Sequence, residues 1–356
     1  MKQQIIHDLF SDAVTLLKQL IAIPSYSKDE GATADRIEQY LSNKSIPANR
    51  FLNNVWVVNK YYDKTKPTIL LNSHHDTIKA NNGYTNNPFE AVEKDGKLYG
   101  LGSNDAGGSL VSLIGAFLYF YGQPDLKYNL LLAASAEEEI SGEHGIEALL
   151  PKLGNIDFAI VGEPTQMDLA VAEKGLLVLD CIAHGTQGHA ARNEGDNAIY
   201  KAVKDINWFS NYQFPKISSL LGPVNMNVTM INAGAQHNVI PDTCNFTVDC
   251  RINELYSHSE ILETIKQNIV SEVAQRSMRL RSSFIAMHHP IVLAGIKLGR
   301  KCYGSPTLSD KALMPFPALK MGPGDSARSH IADEFIYLND IQEGIEVYVQ
   351  LLNELL

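Results

Sequence analysis

The stretch Asn72-Ser73-His74-His75-Asp76-Thr77 places a His and an Asp two residues apart, directly after the apolar run Thr68-Ile69-Leu70-Leu71. Side chains on a strand repeat every two residues, so His74 and Asp76 can point to the same side where such a strand ends. The imidazole can then bind a metal while the carboxylate holds and polarises it. A lone histidine at a strand end is more often simply hydrogen-bonded, so the weight falls on what the rest of the chain offers. Leu130 to Ala134 is a second apolar run and leads into Glu137-Glu138-Glu139. Phe158-Ala159-Ile160-Val161 is a third and leads into Gly162-Glu163-Pro164. Three successive acids repel one another unless they are solvated or paired with cations. Asp105 stands in Gly100-Leu101-Gly102-Ser103-Asn104-Asp105-Ala106-Gly107-Gly108, just before a long apolar segment. It can serve there as the N-cap of a helix or as a ligand. Neither GxGxxG nor the Walker spacing with Lys is present, so the glycines let the backbone pass close to something compact rather than cradle a phosphate.

The elements that must position these groups alternate. Apolar positions at helical spacing predict a helix over about 8–21 and another from Thr33 to Leu41. Strands are expected at Val55–Val58 and Thr68–Leu71, a long apolar helix from Ser109 to Phe120, then the strands at 130–134 and 158–161. Strands alternating with helices imply an α/β fold with a mainly parallel sheet and helices on both faces, and such sheets carry their sites at the carboxyl edge of the strands. Past residue 177 the pattern changes. Leu177–Ala183, Val228–Ile231 and Asn245–Cys250 read as alternating strands, with helical segments around 196–209 and 257–275. This suits a separate α+β lid at 178–286, inserted into a catalytic domain formed by 1–177 plus 287–356. The chain then returns to helix from Val292 to Lys301 and closes with an amphipathic helix over about 339–355.

Composition narrows the function. A chain of 356 residues with 45% hydrophobic residues can bury a sizeable core in more than one domain. The formal net charge of -10 leaves no basic stripe for nucleic acid or an anionic membrane. Cys181, Cys244, Cys250 and Cys302 are scattered, which fits free thiols in a reducing compartment. No apolar run approaches the ~18 residues of a membrane span. The start, Met1-Lys2-Gln3-Gln4, leads into an amphipathic segment and not into a signal-peptide core, so a cytoplasmic protein is expected.

Taken together and in order, these residues resemble the zinc-dependent family of acetylornithine deacetylases, succinyl-diaminopimelate desuccinylases, aminoacylases and glutamate carboxypeptidases, over nearly the whole chain. The resemblance implies two Zn²⁺ per subunit, with Co²⁺ able to substitute. It implies His74 and Glu163 as ligands of one metal, Glu139 and His330 as ligands of the other, and Asp105 as the bridging carboxylate, with a cis peptide bond between Asp105 and Ala106. Asp76 then holds His74, and Glu138 is the general base. Carboxylates and neutral imidazoles suit such cations, and two of them about 3.5 Å apart lower the pKa of a shared water. In the lid, Gly185-Thr186-Gln187-Gly188-His189-Ala190 matches the segment whose histidine reaches the partner subunit's site in a homodimer joined through the lids. Asn238 and Arg251 match substrate-holding positions, and Gly322 and Gly324 a loop that lines the pocket. His75, His144, His184, His237 and His288 match no ligand.

The substrate implied is a small N-acyl amino acid. Succinyl-diaminopimelate enzymes often carry paired Arg where Glu173-Lys174-Gly175 stands here, and Gly322-Pro323-Gly324-Asp325-Ser326-Ala327-Arg328-Ser329-His330 resembles the arginine-pathway deacylases. Removal of an acetyl or succinyl group from ornithine or citrulline in arginine biosynthesis is therefore the leading expectation. A succinyl-diaminopimelate desuccinylase, or a dipeptidase or aminoacylase of the same fold, is the alternative. A metal-free binding or scaffold relative is the reading from a different class. Arg328 and Lys311 are each open to a succinyl carboxylate or to a structural partner.

Overall fold

The structure is a computed structural model that describes residues 2–192 and 194–356. The chain divides into two compact units: Met1–Val171, Ile285–Tyr303 and Ser309–Leu356 form one, and Ala172–Phe284 with Gly304–Leu308 the other.

The first unit is built on a mixed sheet whose centre is parallel. Its strands run in the order Asn49–Phe51, Asn54–Val58, Asn129–Ser135, Thr68–His74, Phe158–Val161 and Ala318–Lys320. Thr68–His74 pairs in parallel with both neighbours, and every residue of it and of Asn129–Ser135 is buried. Continuous burial is what a parallel strand covered on both faces requires, and it explains why these segments read as unbroken apolar runs. On one face Leu70, Leu131, Ala133, Ala159 and Val161 pack against Ile146, Leu149 and Leu153 of the helix Ile146–Leu153. Helices Lys2–Ile21, Gly108–Tyr121 and Leu338–Asn353 pack against one another, and a Cβ on Gly115 would come within 3.1 Å of the Ile345 side chain, so that glycine sets how closely two of them approach. The register decides the rest: His74 lies opposite Ser135, and Asn72 opposite Val161, so three strands end side by side.

The second unit holds an antiparallel sheet in the order Asn225–Ala233, Thr243–Ile252, Gly175–His184, Glu272–Gln275. Burial alternates along Gly175–His184 and Thr243–Ile252, and their inward residues form a core with Ala198, Ala202 and Phe209 of the helix Ala198–Asn211 and Ile261 and Ile265 of the helix His258–Asn268. The latter starts at a capping box between Ser257 and Glu260.

Two segments differ from the sequence reading. The helix expected over 257–275 stops at Asn268, and Glu272–Gln275 is a strand. Ile269 turns extended, and the buried Asp205 carboxylate accepts the N–H groups of Val270 and Ser271 at 3.3 and 2.9 Å, which takes those donors away from a continuing helix. The helix expected over Val292–Lys301 spans Pro290–Lys297 instead. Proline suits the first helical turn, the His289 side chain accepts the N–H of Ile291, and Gly299, at φ +79°, lies just beyond the end in the left-handed conformation that stops helices.

The sheet of the first unit depends on the apolar side chains buried on it. Phe117, fully buried in the helix Gly108–Tyr121, is expected to cost about 3–5 kcal/mol when replaced by Ala; the shift of the urea midpoint of the metal-stripped protein measures it.

Candidate metal centre

Each candidate ligand sits where a strand or turn of the first unit ends. His74 is the last residue of its strand, and the His75 N–H continues the ladder to Ser135 O at 3.0 Å. Beyond Ser135 the chain reverses at Glu137, held at φ +54°, and Glu138–Ile140 forms one 3₁₀ turn. Glu163 follows Gly162, whose N–H meets Asn72 O at 2.7 Å. Asp105 lies in the irregular turn Ser103–Gly107 that leads into the helix Gly108–Tyr121, and the Asp105–Ala106 peptide bond is cis, as the resemblance implies. His330 arrives from the C-terminal segment.

Asp105 is the centre of the cluster. Its Oδ1 is 3.3 Å from His74 Nε2 and its Oδ2 is 3.6 Å from His330 Nε2. Around His74 Nε2 stand Glu138 Oε2 and Glu163 Oε1, each at 3.8 Å. His330 Nε2 is 3.0 Å from Glu139 Oε2. Donor atoms of His74, Glu138 and Glu163 lie within 4.8 Å of one another, and so do those of His74, Asp105 and Glu139. Two ligands about 2.1 Å from one tetrahedral cation stand about 3.4 Å apart. Separations of 3.3–3.8 Å between these imidazole and carboxylate atoms therefore fit divalent cations better than they fit direct hydrogen bonds. The donor set, nitrogen and carboxylate oxygen with no thiolate, suits Zn²⁺, Co²⁺ or Mn²⁺.

The electrostatics point the same way. Burial pushes Glu138 well above the ordinary carboxyl range, and the charges of Glu163, Asp310 and Glu139 add to this against His74. Burial works against a charged His74, but Glu138 and the hydrogen bond to Asp105 hold its imidazole well above its usual value. The hydrogen bond and charge of Glu139 hold His330 up at about 9. Without a cation the cluster keeps protons that a cation would displace.

Asp76 does more than face His74. Its Oδ1 is 3.5 Å from His74 Nδ1, while Glu138 N–H donates to Oδ1 at 3.0 Å and Glu139 N–H to Oδ2 at 3.1 Å. The Ser27 hydroxyl donates to Oδ2 at 2.7 Å. Burial alone would raise this carboxyl; its partnership with His74 and the Ser27 hydroxyl outweighs that and holds it below its ordinary value. The Asp76 carbonyl, 3.0 Å from His74 Nδ1, thus orients the imidazole together with the side chain, and the side chain anchors the turn that carries Glu138 and Glu139.

Several residues that single positions in the sequence did not point to support the cluster. Buried Glu30 accepts the N–H groups of Lys28 and Glu137 and the Asn53 amide at 2.6, 3.1 and 2.9 Å. Buried Asp310 accepts from Asn72 Nδ2 at 2.8 Å and Ser135 Oγ at 2.5 Å, which ties two neighbouring strand ends, and its burial pushes it up to about 6. Glu334 lies under the Asp105 turn. The only available signal for Asp310 and Glu334 was an acid next to a short apolar run, and Glu30 had none. His75 is spoken for: Nε2 donates to Asn53 O and Nδ1 meets the Thr33 hydroxyl, both at 2.9 Å, and burial lowers it to about 4. His144 pairs with Glu137 at 3.2 Å, and His184 with Glu272 at 3.1 Å.

The remaining candidates separate. Gly322 and Gly324 lie in the first unit, where added Cβ atoms would stand 2.5 Å from Glu163 O and 2.5 Å from Asn104 Oδ1, so both allow close packing behind ligand-bearing backbone. Arg328 pairs with Asp340 at 3.3 Å and lies over Phe335 and Tyr337. Lys311 is buried and donates to Ala170 O at 3.2 Å. His189, Asn238 and Arg251 belong to the second unit. There, Gly188–His189 pairs with Val239–Ile240, and Ala190 N–H donates to Asn238 O at 3.0 Å, so His189 and Asn238 share one ribbon. His189 Nδ1 accepts the Ala191 N–H, which leaves the ring proton on Nε2. Arg251 is engaged by Asp249 through Nε at 2.8 Å and Nη2 at 3.0 Å.

Metal ligation needs a neutral imidazole, and His330 stripped of metal titrates at about 9. Binding at pH 7 must then release a proton, and metal affinity must rise as pH is raised from 7 toward 9. Calorimetric titration in buffers of different ionisation enthalpy measures the released protons directly; an affinity independent of pH over that range would contradict the arrangement.

The chain matches the family model described as Peptidase family M20/M25/M40 over residues 70–354. It is similar to the succinyl-diaminopimelate desuccinylase of Corynebacterium glutamicum, 28% identical over 367 residues covering 98% of each chain. It is likewise similar to the succinyl-diaminopimelate desuccinylase of Rickettsia bellii, 27% identical over 378 residues covering 96% of each. Among solved structures it is similar to aminopeptidase PepT of Bacillus cereus, with a TM-score of 0.78 and 18% identity over 97% of this chain and 98% of that one. The YXEP protein of Bacillus subtilis, described as a dinuclear metal binding peptidase from the M20 family, aligns with a TM-score of 0.75 and 16% identity over 97% and 98%. The two solved structures share the fold. The family match runs from the strand that ends in His74 to the C-terminal helix, and on it the chain belongs to peptidase family M20/M25/M40.

Proposed function

We propose that this chain is a divalent-metal amidohydrolase that removes the succinyl group from N-succinyl-diaminopimelate, the compound in the name of both curated relatives. What supports hydrolysis is one observation: His74 and His330 reach the two oxygens of Asp105, and Glu138, Glu139 and Glu163 crowd the same imidazoles at the edge of a parallel sheet. In this reading His74 and Glu163 hold one cation, Glu139 and His330 the second, and Asp105 both. Such cations, Zn²⁺ or Co²⁺, supply polarisation of the scissile carbonyl and a lowered pKa for the attacking water. Glu138 takes the proton of that water and delivers it to the leaving amine. Asp76 keeps His74 in the ligating tautomer and fixes the Glu138 backbone.

Deacylation of ornithine or citrulline is the second reading, since neither curated relative is named for those substrates. What favours it is Glu173-Lys174-Gly175 in place of paired arginines. Lys174 is buried and donates to Pro223 O at 2.8 Å and to the Asn225 side chain. Release of diaminopimelate, ornithine or citrulline from a panel of acetylated and succinylated amino acids decides between them; activity on none of the panel would sink both.

The protein also works, in this proposal, as a homodimer joined by its second units. Strand Asn225–Ala233 ends the sheet, with Met230 63% and Ile231 57% exposed, and Tyr200 and Val203 are exposed on the helix Ala198–Asn211. An unpaired edge beside apolar side chains is what twofold pairing would cover. His189 then stabilises the oxyanion in the partner's site.

Glu138→Gln should keep fold and metal but lose about 10²–10⁴ in kcat, since Gln cannot accept the proton; metal analysis beside steady-state rates tests this, and a few-fold loss would remove Glu138 as the base. His189→Ala should also be poor, by about 10²–10³ in kcat. Mixed with Glu138→Gln after subunit exchange, it should form heterodimers in which one site regains both groups. Exchange confirmed by mass spectrometry without recovered activity would mean that His189 does not act across an interface.

A further inference from the structure

Glu334 is 2% exposed and lies four residues beyond His330. Its carboxylate accepts three backbone N–H groups from the turn that presents Asp105: Gly102 at 2.9 Å on Oε2, and Asn104 and Asp105 at 2.8 and 2.9 Å on Oε1. Its own carbonyl accepts the Gly100 N–H at 3.0 Å. The turn has little room to settle differently. Gly102 sits at φ +75°, and a Cβ there would stand 2.6 Å from Thr77 Cγ2. Gly107 N–H closes back on Gly102 O at 3.0 Å. Converging N–H groups make a concave cradle of partial positive charge that favours an anion, and here the chain fills the cradle with its own carboxylate.

The other side of the same turn faces the cluster, where the two oxygens of Asp105 reach His74 and His330. We propose that Glu334 is a positioning residue for the metal pair: it fixes the Asp105 backbone and, through the short segment back to His330, sets the distance between the bridging carboxylate and that histidine. This rests on the metal reading above. The arrangement parallels Asp76, which takes the N–H groups of Glu138 and Glu139, and Glu30, which takes that of Glu137. Ligand-bearing turns are thus anchored by buried carboxylates that are not ligands themselves.

The geometry requires both side-chain oxygens at their full reach, because the three N–H groups divide between Oε1 and Oε2. A glutamine offers one acceptor oxygen, so its NH₂ would be turned toward the N–H of Gly102 or of Asp105, leaving donors face to face. An aspartate keeps both acceptor oxygens but is one methylene short of spanning the turn. Neighbouring Asp333 supplies a control: it accepts Thr85 N–H, Thr85 Oγ1 and Asn86 N–H at 2.9, 2.6 and 3.1 Å and anchors a different loop.

The experiment titrates Co²⁺ into metal-stripped wild type, Glu334→Gln, Glu334→Asp and Asp333→Ala, following the visible absorption bands, with thermal melts of each stripped protein. Glu334→Gln should bind Co²⁺ about 10–100-fold more weakly, the usual cost of losing a partner behind a metal ligand. Its bands should be altered, while its stripped protein melts close to wild type. Asp333→Ala should bind Co²⁺ as wild type does. Should Glu334→Gln fail to fold, Glu334→Asp decides, with weakened binding expected. Wild-type Co²⁺ affinity and bands in the soluble Glu334 variants would overturn the inference, as would an equal loss in Asp333→Ala, which would mark general loosening. A wild type that takes up no Co²⁺ would instead overturn the metal reading itself.

Discussion

Like-charge crowding governs this molecule's first unit. Asp105, Glu138, Glu139 and Glu163 approach two imidazoles within 3.0–3.8 Å at one end of a buried sheet. Four carboxylates cannot all ionise there without positive charge close by. The surrounding carboxylates hold His74 and His330 above their usual values, and burial with its neighbours' charge holds Glu138 up; divalent cations would relieve the repulsion directly. The same crowding makes the cluster a place where cations exchange with protons.

Rigidity comes from acids that stand behind the cluster. Asp76, Glu30 and Glu334 are each buried and each satisfied by backbone N–H groups of the turns that carry the outer acids. Such bonds favour the charged form, but at Glu334 burial and the charge of Asp105 outweigh them and raise the carboxyl to about 8, while the bonds still hold their donors in place. Backbone anchoring of the turns that carry them opposes the mutual repulsion of the cluster carboxylates.

The two units divide the work according to their sheets. The parallel sheet brings three strand ends into register, which sets His74 on a strand and starts the short turns that carry Glu138 and Glu163 side by side. The antiparallel sheet of the second unit keeps one face open and one edge strand uncovered, which suits contact with another surface. Arg251 is engaged by Asp249 and Arg328 by Asp340, so neither guanidinium reads as a ready carboxylate clamp from its local contacts.

Local patterning in the sequence determined the catalytic elements: unbroken apolar runs for covered strands, period-two alternation for the half-covered ones, and acids and a histidine immediately beyond the runs. These are nearest-neighbour properties, since burial on both faces demands apolar side chains at every position and a strand end is where polar groups reach solvent. His330 entered the ligand set only through a family likeness, because no local rule links a C-terminal histidine to a strand more than 250 residues earlier. The tertiary structure alone decided which polar groups face which. It assigned His75 to Thr33 and Asn53, gave Asp76 its second duty under Glu138 and Glu139, and closed the 257–275 segment with Asp205. It also placed Glu334 under Asp105. Each of these is a hydrogen bond between residues far apart in the chain, and nearly all use a backbone N–H or C=O, which every residue carries save proline's missing N–H and which leaves no trace in the amino-acid letters.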